Sequence, residues 1–462
     1  SRTFAFLPPK CMAVDEQKLK RLATYFSPAA TLYEVGGCVR DELLGVNCYD
    51  VDVCAQLDVE TVKKMLLNTG FVVSTKNLRM GTVHISSGDF CVEYTTFRTD
   101  SYDRASGKHS PDDVTFTSDM SLDARRRDFK CNALYKDILT GEIVDLLDGK
   151  EDIKNKIIST AAEPNAVFEA DGLRILRMVR FASELGFDVE KETYEVAKKN
   201  AWRVGDLARE RIRDELCKIF IADTKHPELK LKGAHVKGLE MLDDLGLVDL
   251  ILPELAALKG LQQPKKYHLY EAYTHSVKAF EVAPPNIRWA SLLHDVGKAP
   301  CMKEDGNMHF HDVVGEKMVR AIAERLKFSN VEIERMSKLV SLHMVDINGN
   351  TSESKLRAFC VKNALYIDDL LCLMDADAIA SAGEITRENR VRKAWLEVKE
   401  KNLPLCVKDL KIDGNDLLAL GAKGAQCGEI LKSLLRDTAL EPSLDDREKA
   451  LAYAARKIEK SK

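Results

Sequence analysis

The sequence contains no apolar run of membrane length and no C-x-x-C pair, and its first residues do not resemble the apolar core of a signal peptide. Its longest apolar stretch, at 242–258, is interrupted by Asp and Pro and falls short of the roughly 20 apolar residues that a membrane-spanning helix needs. The 12 cysteines include no C-x-x-C pair, which indicates reduced thiols. Residues 1–4 do not begin the apolar core of a signal peptide. We therefore expect a cytoplasmic protein with no membrane partner.

An excess of basic residues is also missing, because 69 Lys and Arg face 73 Asp and Glu and the formal net charge is −4. An argument for a nucleic-acid partner must therefore rest on local clusters of Arg and Lys. Of the 462 residues, 45% are hydrophobic and 31% are charged, which excludes a disordered or collagen-like chain. This length favours about three folded domains.

Strand and helix signals alternate up to Gly149, where we place the main domain boundary. The pattern predicts strands at 31–35 and 50–54, a hairpin at 83–86 and 90–97, and helices at 38–44 and 60–68. The polar stretch 98–123 is too long for a simple connection and indicates a functional loop or a disordered segment. From residue 151 on the pattern predicts helices only, clearest at 170–185, 191–200 and 210–221.

Two carboxylates follow a glycine turn in this first region. Gly36 and Gly37 lie between a predicted strand and a helix, where paired glycines let backbone N–H groups converge on an anion. Asp50 and Asp52 are i and i+2 on a predicted strand, so both carboxylates point to one face. Mg²⁺ prefers such hard oxygen ligands and completes its shell with water and substrate phosphates. The alternative, a solvated edge strand, is disfavoured by the nearby glycine turn.

These residues belong to motifs that resemble a known family. The run G-G-C-V-R-D-E-L-L-G from Gly36, followed by Asp50-x-Asp52, is similar to the first motif of class II tRNA nucleotidyltransferases, the CCA-adding enzymes of the DNA polymerase beta superfamily. The run R-R-D-F-K-C-N-A from Arg126 resembles a second motif, with Lys-Cys where Thr-Ile is common. The segments 137–149 and 209–216 resemble later motifs in the family order.

The resemblance implies a fold class and a domain order. We expect an α+β head, built on a nucleotidyltransferase mixed sheet with helices, followed by an elongated all-α neck, body and tail. The expected segments are a head at 1–149, a helical neck with the base-selecting site at 150–222, a helical body or linker at 223–265, an HD-like helical domain at 266–385, and a tRNA-binding helical tail at 386–462.

Asp171 and Arg174 are candidates for selecting the base, because they lie i and i+3 on a predicted amphipathic helix. A carboxylate accepts from an exocyclic amine, and a guanidinium donates to a ring nitrogen. Cytosine and adenine present this arrangement, whereas uracil and guanine present the reverse. The family assigns this role to an E-D-x-x-R motif. In this chain Ala170 stands where Glu is usual, and Glu169 lies one position earlier.

The resemblance also implies catalytic and nucleotide-binding roles. Asp50 and Asp52 are the expected catalytic residues and Mg²⁺ ligands, which would activate the tRNA 3′-hydroxyl and stabilise the pyrophosphate. Glu93 is a candidate third carboxylate. For some of the arginines the alternative is a solvated helix face. The candidate nucleotide-binding residues are Gly36, Gly37, Arg40, Arg126, Arg127, Asp128, Asn132, Asp171, Arg174, Arg177, Arg180 and Arg211.

A second candidate site lies in the helical part of the chain. The run L-L-H-D-V-G-K from Leu292 resembles the signature of HD phosphohydrolases. Imidazoles and carboxylates suit a second divalent metal such as Mn²⁺, Ni²⁺ or Mg²⁺, which would support hydrolysis of a phosphate ester. The alternative is a relic whose polar residues only hold helices together. The candidate ligands are His275, His294, Asp295 and Asp377, with His311 or His309 as a third histidine and His343 in the same region.

The expected function is template-independent addition or repair of the 3′-terminal CCA of tRNA from CTP and ATP. In the resembled family, enzymes that add only C-C lack much of a loop in the region 98–123, so this stretch favours complete CCA addition. Alternatives are a CC-adding enzyme, a bacterial poly(A) polymerase, an HD-type metal phosphohydrolase, and an RNA-binding protein with an inactive head. The expected partners are tRNA, CTP and ATP, and no obligatory protein partner is evident.

Overall fold

A computed structural model describes residues 15–48, 50–77, 80–101, 113–264, 268–385 and 388–460. The chain forms two compact units. The first comprises Ser1–Pro253 with Arg325–Phe328, and the second comprises Glu254–Glu324 with Ser329–Lys462. The five segments expected from the sequence divide the chain more finely than these units and stay predictions. In the part of the chain described, no helix has the length and apolar character needed to span a membrane.

The first unit is built on a seven-stranded mixed sheet of order β3-β4-β5-β2-β1-β8-β9. In this sheet β2 and β5 run parallel, and the other neighbouring pairs are antiparallel. Its strands are β1 Tyr33–Val35, β2 Asp52–Ala55, β3 Val72–Asn77, β4 Thr82–Ser87, β5 Phe90–Thr96, β8 Leu134–Asp137 and β9 Ile143–Asp145. Two-stranded sheets are formed by β6 Arg98–Ser101 with β7 Asp113–Phe116, antiparallel, and by β10 Ile157–Ile158 with β11 Asp188–Val189, parallel.

Helices cover the sheet and continue after it. The helices of the first unit are α1 Glu16–Phe26, α2 Gly37–Leu44, α3 Val59–Met65, α4 Met120–Arg125, α5 Gly149–Asn155, α6 Pro164–Ala170, α7 Leu173–Leu185, α8 Lys191–Asn200, α9 Arg209–Phe220, α10 Ala234–Asp244 and α11 Leu247–Ile251. The chain then passes through α12 Pro253–Ala256 into the second unit.

The second unit is helical in its described residues. Its helices are α13 Ala272–Val282, α14 Arg288–Leu293, α15 Lys298–Asp305, α16 His311–Arg325, α17 Asn330–Leu342, α18 Glu353–Lys362, α19 Ile367–Ala382, α20 Arg390–Glu400, α21 Gly414–Ala419, α22 Gly424–Leu440 and α23 Arg447–Glu459. An apolar core around Leu370 and Trp395 holds α18, α19 and α20 together. A separate core around Leu434 joins α21, α22 and α23.

Alternation along β5 explains how the head forms its core. Phe90, Val92 and Tyr94 point to one face and are buried, as expected for a strand with one face against helices. They pack with Leu22 of α1 and Val62 of α3. Burial of such side chains contributes about 1.5–3 kcal/mol each before the entropy cost of folding. This core supports β2 and thereby the carboxylates at its start.

The predicted strands, hairpin and helices of the head are present, with three corrections. β2 begins at Asp52, so Asp50 lies just before the strand and not within it. Part of the stretch 98–123 is ordered, because its ends form β6, β7 and most of α4, while 102–112 lie outside the described residues. The region after Gly149 is mainly helical, but β10 and β11 interrupt it.

Gly149 is the first residue of α5 and lies within the first unit, so the domain boundary placed there stays a prediction. A Cβ at this position would lie 2.3 Å from the carbonyl oxygen of Lys130, so only glycine allows the two backbones to approach this closely. Helix α5 is therefore packed directly against the turn that carries the second motif.

Candidate active site

A cavity of about 480 Å³ brings together the predicted residues of the head and the neck. Nine basic side chains against seven acidic ones line it, so its interior has the basic surplus that the whole chain lacks. The charged lining residues are Arg40, Arg98, Arg126, Arg127, Arg174, Arg177, Arg180, Arg211, Lys225, Asp41, Asp50, Asp52, Asp100, Asp128, Asp171 and Glu184. Every predicted nucleotide-binding residue lines this cavity.

The glycine turn forms one wall of the cavity. Gly36 has φ +84° and ψ −133°, a conformation that a side chain would strain, and it caps the N-terminus of α2. A Cβ at Gly36 would lie 3.8 Å from Nη1 of Arg127, and one at Gly37 would lie 3.5 Å from Nη2 of Arg40. Two guanidinium groups therefore stand beside a helix N-terminus, and both features favour an anion.

Asp50 and Asp52 present exposed carboxylates to the cavity. Asp52 pairs in register with Val35 of β1 and Glu93 of β5, while the next residue, Val53, is fully buried. The core thus holds the backbone of β2 while the two carboxylates stay open to solvent. Such donors fit Mg²⁺, which keeps several waters and substrate oxygens in its shell.

Glu93 does not join them at the cavity. Although it is the register neighbour of Asp52, its carboxylate lies 3.8 Å from Nε2 of His84, and it is not among the described residues that line the cavity. Its suggested role as a third carboxylate therefore stays a prediction without geometric support.

Arg40 is buried and already fully engaged with protein partners. Its Nε and Nη2 donate to Oδ1 of Asp41 at 2.9 and 2.7 Å, and its Nη1 donates to Oδ1 of Asn132 at 2.6 Å. Burial alone would lower the pKa of Arg40, but the adjacent Asp41 carboxylate raises it. Arg40 therefore links the glycine turn to the second motif as a fixed positive charge.

The two arginines of the second motif share one carboxylate, Asp123. Arg126 Nε donates to its Oδ1 at 2.8 Å, while Arg127 Nη2 and the hydroxyl of Tyr135 donate to its Oδ2 at 3.1 and 2.7 Å. Burial would raise the pKa of Asp123, but Arg127 and Arg126 lower it to about 2. The carboxylate therefore orients both guanidinium groups at the cavity wall.

Asp128 joins the head to the neck helix α7. Its Oδ2 accepts from Arg177 Nε at 2.7 Å, and its Oδ1 accepts from the backbone N–H of Phe129 at 2.8 Å and from Asn132 at 3.3 Å. Burial would raise the pKa of Asp128, but Arg177 and Arg174 lower it to about 2. The Asp128 carboxylate therefore faces its protein partners and orients the Arg177 guanidinium.

Phe181 is a cavity residue that the motifs did not identify. The guanidinium carbons of Arg40, Arg177 and Arg180 lie 5.1, 5.1 and 4.4 Å from its ring centroid. The face of an aromatic ring attracts cations, so the Phe181 ring makes cation–π contacts with three guanidinium groups of α2 and α7. Phe181 lies four residues after Arg177 on α7, and this spacing was the sequence signal that the two side chains share a helix face.

Asp171 and Arg174, the candidates for base selection, are arranged differently from the expectation. Asp171 and Arg174 do not share a helix face, because α7 begins at Leu173 and Asp171 precedes it in an extended conformation. Asp171 Oδ1 accepts from the N–H of Leu173 at 2.9 Å, and its Oδ2 accepts from Arg211 Nη2 at 2.8 Å. The ion pair of Asp171 is thus with Arg211 of α9.

Arg174 bonds to main-chain groups. Its Nη2 donates to the carbonyl oxygen of Arg126 at 2.6 Å, and its Nη1 donates to that of Val167 at 3.4 Å. These bonds tie the start of α7 to the second motif of the head. Glu169 pairs with Arg203 at 3.4 Å and is not among the described residues that line the cavity, so it does not replace the missing Glu at position 170.

A second cluster, in the second unit, surrounds Asp295. Its Oδ2 lies 3.4 Å from Nε2 of His275 and 3.3 Å from Nε2 of His294. Its Oδ1 lies 3.2 Å from Nε2 of His311 and 3.9 Å from Nε2 of His343. The carboxylate therefore faces two histidines with each oxygen, and each group of three can hold a metal ion.

Main-chain carbonyls orient the imidazoles. Donation from Nδ1–H to a carbonyl leaves the Nε2 lone pair directed at Asp295, which is the tautomer that binds a metal. The Nδ1 contacts are those of His294 with Ser291 at 2.7 Å, His311 with Met308 at 2.8 Å and His343 with Val340 at 2.6 Å.

The cluster decides between the histidine candidates. His311 is buried beside Asp295, whereas His309 is exposed, so His311 is the third histidine and His343 is a fourth. Asp377 Oδ1 lies 3.0 Å from Nε2 of His275, and its role as an outer ligand stays a prediction. Lys298, which the motif did not single out, donates to Asp295 Oδ2 at 2.6 Å.

Comparison with known proteins gives three family matches along the chain. Residues 32–159 match the poly(A) polymerase head domain, residues 186–259 match the probable RNA- and SrmB-binding site of polymerase A, and residues 266–382 match the HD domain. The matches follow the order expected from the motifs.

Two relatives align over nearly the whole chain. The A-adding tRNA nucleotidyltransferase of Deinococcus radiodurans is 30% identical over 441 residues, covering 90% of this chain and 92% of that protein. The CC-adding tRNA nucleotidyltransferase of Thermus thermophilus is 30% identical over 444 residues, covering 91% and 92%. The crystal structure of the Bacillus stearothermophilus CCA-adding enzyme with CTP aligns with a TM-score of 0.67 and 21% identity over 96% of this chain and 98% of that one, which establishes the shared fold.

The low pKa of Asp128 gives a prediction for stability in acid. A carboxylate whose pKa falls from 3.8 to about 2 on folding stabilises the protein above pH 4, and this contribution is lost as the pH falls through 2. Its size is about 2 kcal/mol. Asp128→Asn should therefore lower the free energy of unfolding at pH 7 and flatten its dependence on pH between about 4 and 2, measured by urea denaturation.

The matched control is Asp89→Asn, at the exposed tip of the β4–β5 hairpin, which should keep the wild-type slope. An unchanged slope in Asp128→Asn would contradict the assignment of Asp128 as a buried partner of Arg177.

Proposed function

Because this chain belongs to the tRNA nucleotidyltransferase family, we propose that it adds C and A to the 3′ end of tRNA from CTP and ATP without a nucleic-acid template. The observation that carries this proposal is the exposed pair Asp50 and Asp52 beside a glycine turn in an arginine-lined cavity. The reaction joins the tRNA 3′ oxygen to the α-phosphorus and releases pyrophosphate. An intact carboxylate pair argues against a head that only binds RNA.

The chain supplies fixed charges around the triphosphate. Asp50 and Asp52 would hold Mg²⁺, which would supply positive charge to the triphosphate and help the 3′-hydroxyl to ionise. The N–H groups of the glycine turn bind phosphate oxygens, and Arg126 and Arg127, oriented by Asp123, bind the phosphates and the sugar. Positioning these groups before the substrate arrives avoids reorganisation during the transfer.

Asp171 and Arg174 select the base in this proposal. The Asp171 carboxylate accepts from the exocyclic amine of C or A, and a guanidinium donates to the adjacent ring nitrogen. The bond from Arg211 to Asp171 supports this role, because it orients the carboxylate. Uracil and guanine would leave buried polar groups unpaired, at a cost of about 1–3 kcal/mol each.

The length of the product distinguishes the proposal from its alternatives. With tRNA lacking CCA and labelled CTP and ATP offered separately and together, we expect two additions from CTP alone and three from both. The retained segment 98–123 supports complete addition. Two additions at most would indicate a CC-adding enzyme. Addition only to a tRNA that already ends in CC would indicate an A-adding enzyme. A long run of added A would indicate a poly(A) polymerase.

In the same assay Asp52→Asn should reduce incorporation of both nucleotides by at least about 100-fold, which corresponds to about 2.7 kcal/mol of lost transition-state stabilisation. Binding of tRNA, measured by filter retention, should survive because the substitution leaves the arginines in place. Transfer at the wild-type rate would contradict the assignment of Asp52 as a metal ligand.

Asp171→Asn tests base selection. The asparagine keeps an oxygen for the N–H of Leu173 and adds an amide donor that pairs with O4 of uracil. The ratio of kcat/KM for CTP over UTP should fall by at least about tenfold, as expected for one hydrogen bond to a buried polar group.

Glu169→Gln is the control for this substitution, because it makes the same change two residues away at a carboxylate paired with Arg203. It should keep the wild-type ratio. An unchanged ratio in Asp171→Asn would exclude the templating role.

A second candidate function is metal-dependent phosphate-ester hydrolysis at the Asp295 cluster. The buried Asp295 carboxylate lies between two groups of histidines, and this favours a metal site over polar residues that only hold helices together. Packing alone would not require the Nε2 atoms of four imidazoles to point toward one carboxylate. When bound, Mn²⁺ or Ni²⁺ would activate water for attack on phosphorus. Asp377 completes the group that contains His275.

Asp295→Asn should lose bound Mn²⁺ or Ni²⁺, measured by elemental analysis after reconstitution, and should lose hydrolysis of p-nitrophenyl phosphate and its bis ester. Addition to tRNA should continue, because Asp295 lies outside the cavity of the first unit. Wild-type protein that retains no metal at this cluster would refute the second function while leaving the first intact.

A further inference from the structure

Lys225 differs from the other basic residues of the cavity in having no protein partner among the described residues. The eight arginines of the lining donate to carboxylates or, for Arg174, to main-chain carbonyls. Lys225 lines the cavity and is exposed, and none of the described residues forms a hydrogen bond or an ion pair with its ammonium group. A solvated surface lysine has the same exposure, so the role of Lys225 depends on where in the cavity it lies.

Two contacts with the head hold the backbone around Lys225. The adjacent His226 is buried, and its Nε2 lies 4.0 Å from Oδ1 of Asp41 in α2. Glu228 accepts a hydrogen bond from the side-chain amide of Asn47, which lies in the segment between α2 and β2. Because a close-packed imidazole cannot leave its place without opening the packing around it, Lys225 stays beside α2 and this segment, which leads to the proposed metal ligands.

The course of α9 places Lys225 at the end of the cavity opposite the proposed base-selecting residues. Near the start of α9, Arg211 pairs with Asp171, which directly precedes α7, at 2.8 Å. One turn later, Glu215 pairs with Arg180 of α7, also at 2.8 Å. Helix α9 therefore passes along α7 in the same direction, and the turn that follows α9 also packs on α7. Lys225 comes directly after this turn.

A nucleotide with its base at the start of α7 would extend its phosphates along this direction. Glu184, near the end of α7, also lines the cavity and lies about 15 Å along the helix axis from Arg174. In a nucleoside triphosphate the terminal phosphate is the group furthest from the base. The end of the cavity at which Lys225 lies is therefore the end that this phosphate would reach.

We propose that Lys225 binds the terminal phosphate of the incoming CTP or ATP; this inference rests on the proposed function. An ammonium group is a compact positive charge with three donors, which suits a phosphate that rotates and then leaves. Transfer breaks the bond between the α-phosphorus and the oxygen that bridges to the β-phosphate, and that electron pair leaves with pyrophosphate. Lys225 donates hydrogen bonds to the departing group and gives up no proton, so its charge stabilises the charge that develops there.

Isothermal titration calorimetry of the full-length protein with CTP, CDP and CMP, in Mg²⁺ and without tRNA, tests the proposal. Lys225→Gln should weaken CTP binding by at least about tenfold, as expected for a hydrogen bond to a charged group. Binding of CMP should not change, and the loss for CDP should be smaller than for CTP. Lys225→Arg, which keeps the positive charge, should retain most of the affinity for CTP.

The matched control is Lys232→Gln, at an exposed lysine that is not among the described residues lining the cavity, and it should keep the wild-type affinities. Unchanged CTP binding in Lys225→Gln would overturn the proposal, and an equal loss for CTP, CDP and CMP would contradict a contact with the terminal phosphate.

Filter retention with tRNA lacking CCA distinguishes the triphosphate from a phosphate of the tRNA backbone. We expect Lys225→Gln to bind this tRNA like the wild type. Weaker tRNA binding with unchanged CTP binding would assign Lys225 to the tRNA and overturn the proposal. If the wild type binds CTP but transfers no nucleotide to tRNA, the proposed function fails, and the titrations still decide whether Lys225 binds the terminal phosphate.

Discussion

The pairing of the buried Asp128 carboxylate of the head with Arg177 of α7 is the interaction on which the cavity depends. Asp128 is tolerated away from water because Arg177, which stays partly exposed, and Asn132 donate to its oxygens. Arg40, Asp41 and Asn132 repeat this arrangement beside the glycine turn. The same bonds that hold α7 against the head orient the cavity wall. Stability and substrate positioning therefore share residues in this region.

The two candidate metal sites differ in how the protein prepares them. Asp50 and Asp52 are exposed carboxylates just before and at the start of β2, and this exposure suits a hydrated ion that also binds substrate phosphates. The Asp295 cluster is buried, and main-chain carbonyls set the tautomers of His294, His311 and His343. At the first site, water and substrate would supply the remaining ligands of the ion, whereas at the second site the protein itself supplies several histidine and aspartate ligands. Separate metals and separate reactions in the two units are consistent with this difference in solvation.

Much of the head could be predicted from local patterns, because period-two and period-3.6 hydrophobicity act over a few residues. The β4–β5 hairpin and α2 lie where those patterns indicated, as does α8 beyond the head. The start of β2 was misplaced by two residues, since the alternation cannot tell which polar residue is the first to form ladder bonds. The stretch 98–123 was predicted as a loop because its polar composition hid β6 and β7, which are stabilised by pairing with each other.

The sequence by itself determined the chemistry that is available: a glycine turn, an acidic pair at i and i+2, two adjacent arginines and a set of histidines, in an order typical of one family. The tertiary structure decided the partners. Asp171 pairs with Arg211 and not with Arg174, and His311 and not His309 faces Asp295. These choices depend on where helices end and how they pack, and packing is set by buried surface and desolvation summed over distant segments. The spacing of residues along the chain therefore does not predict which side chains become partners.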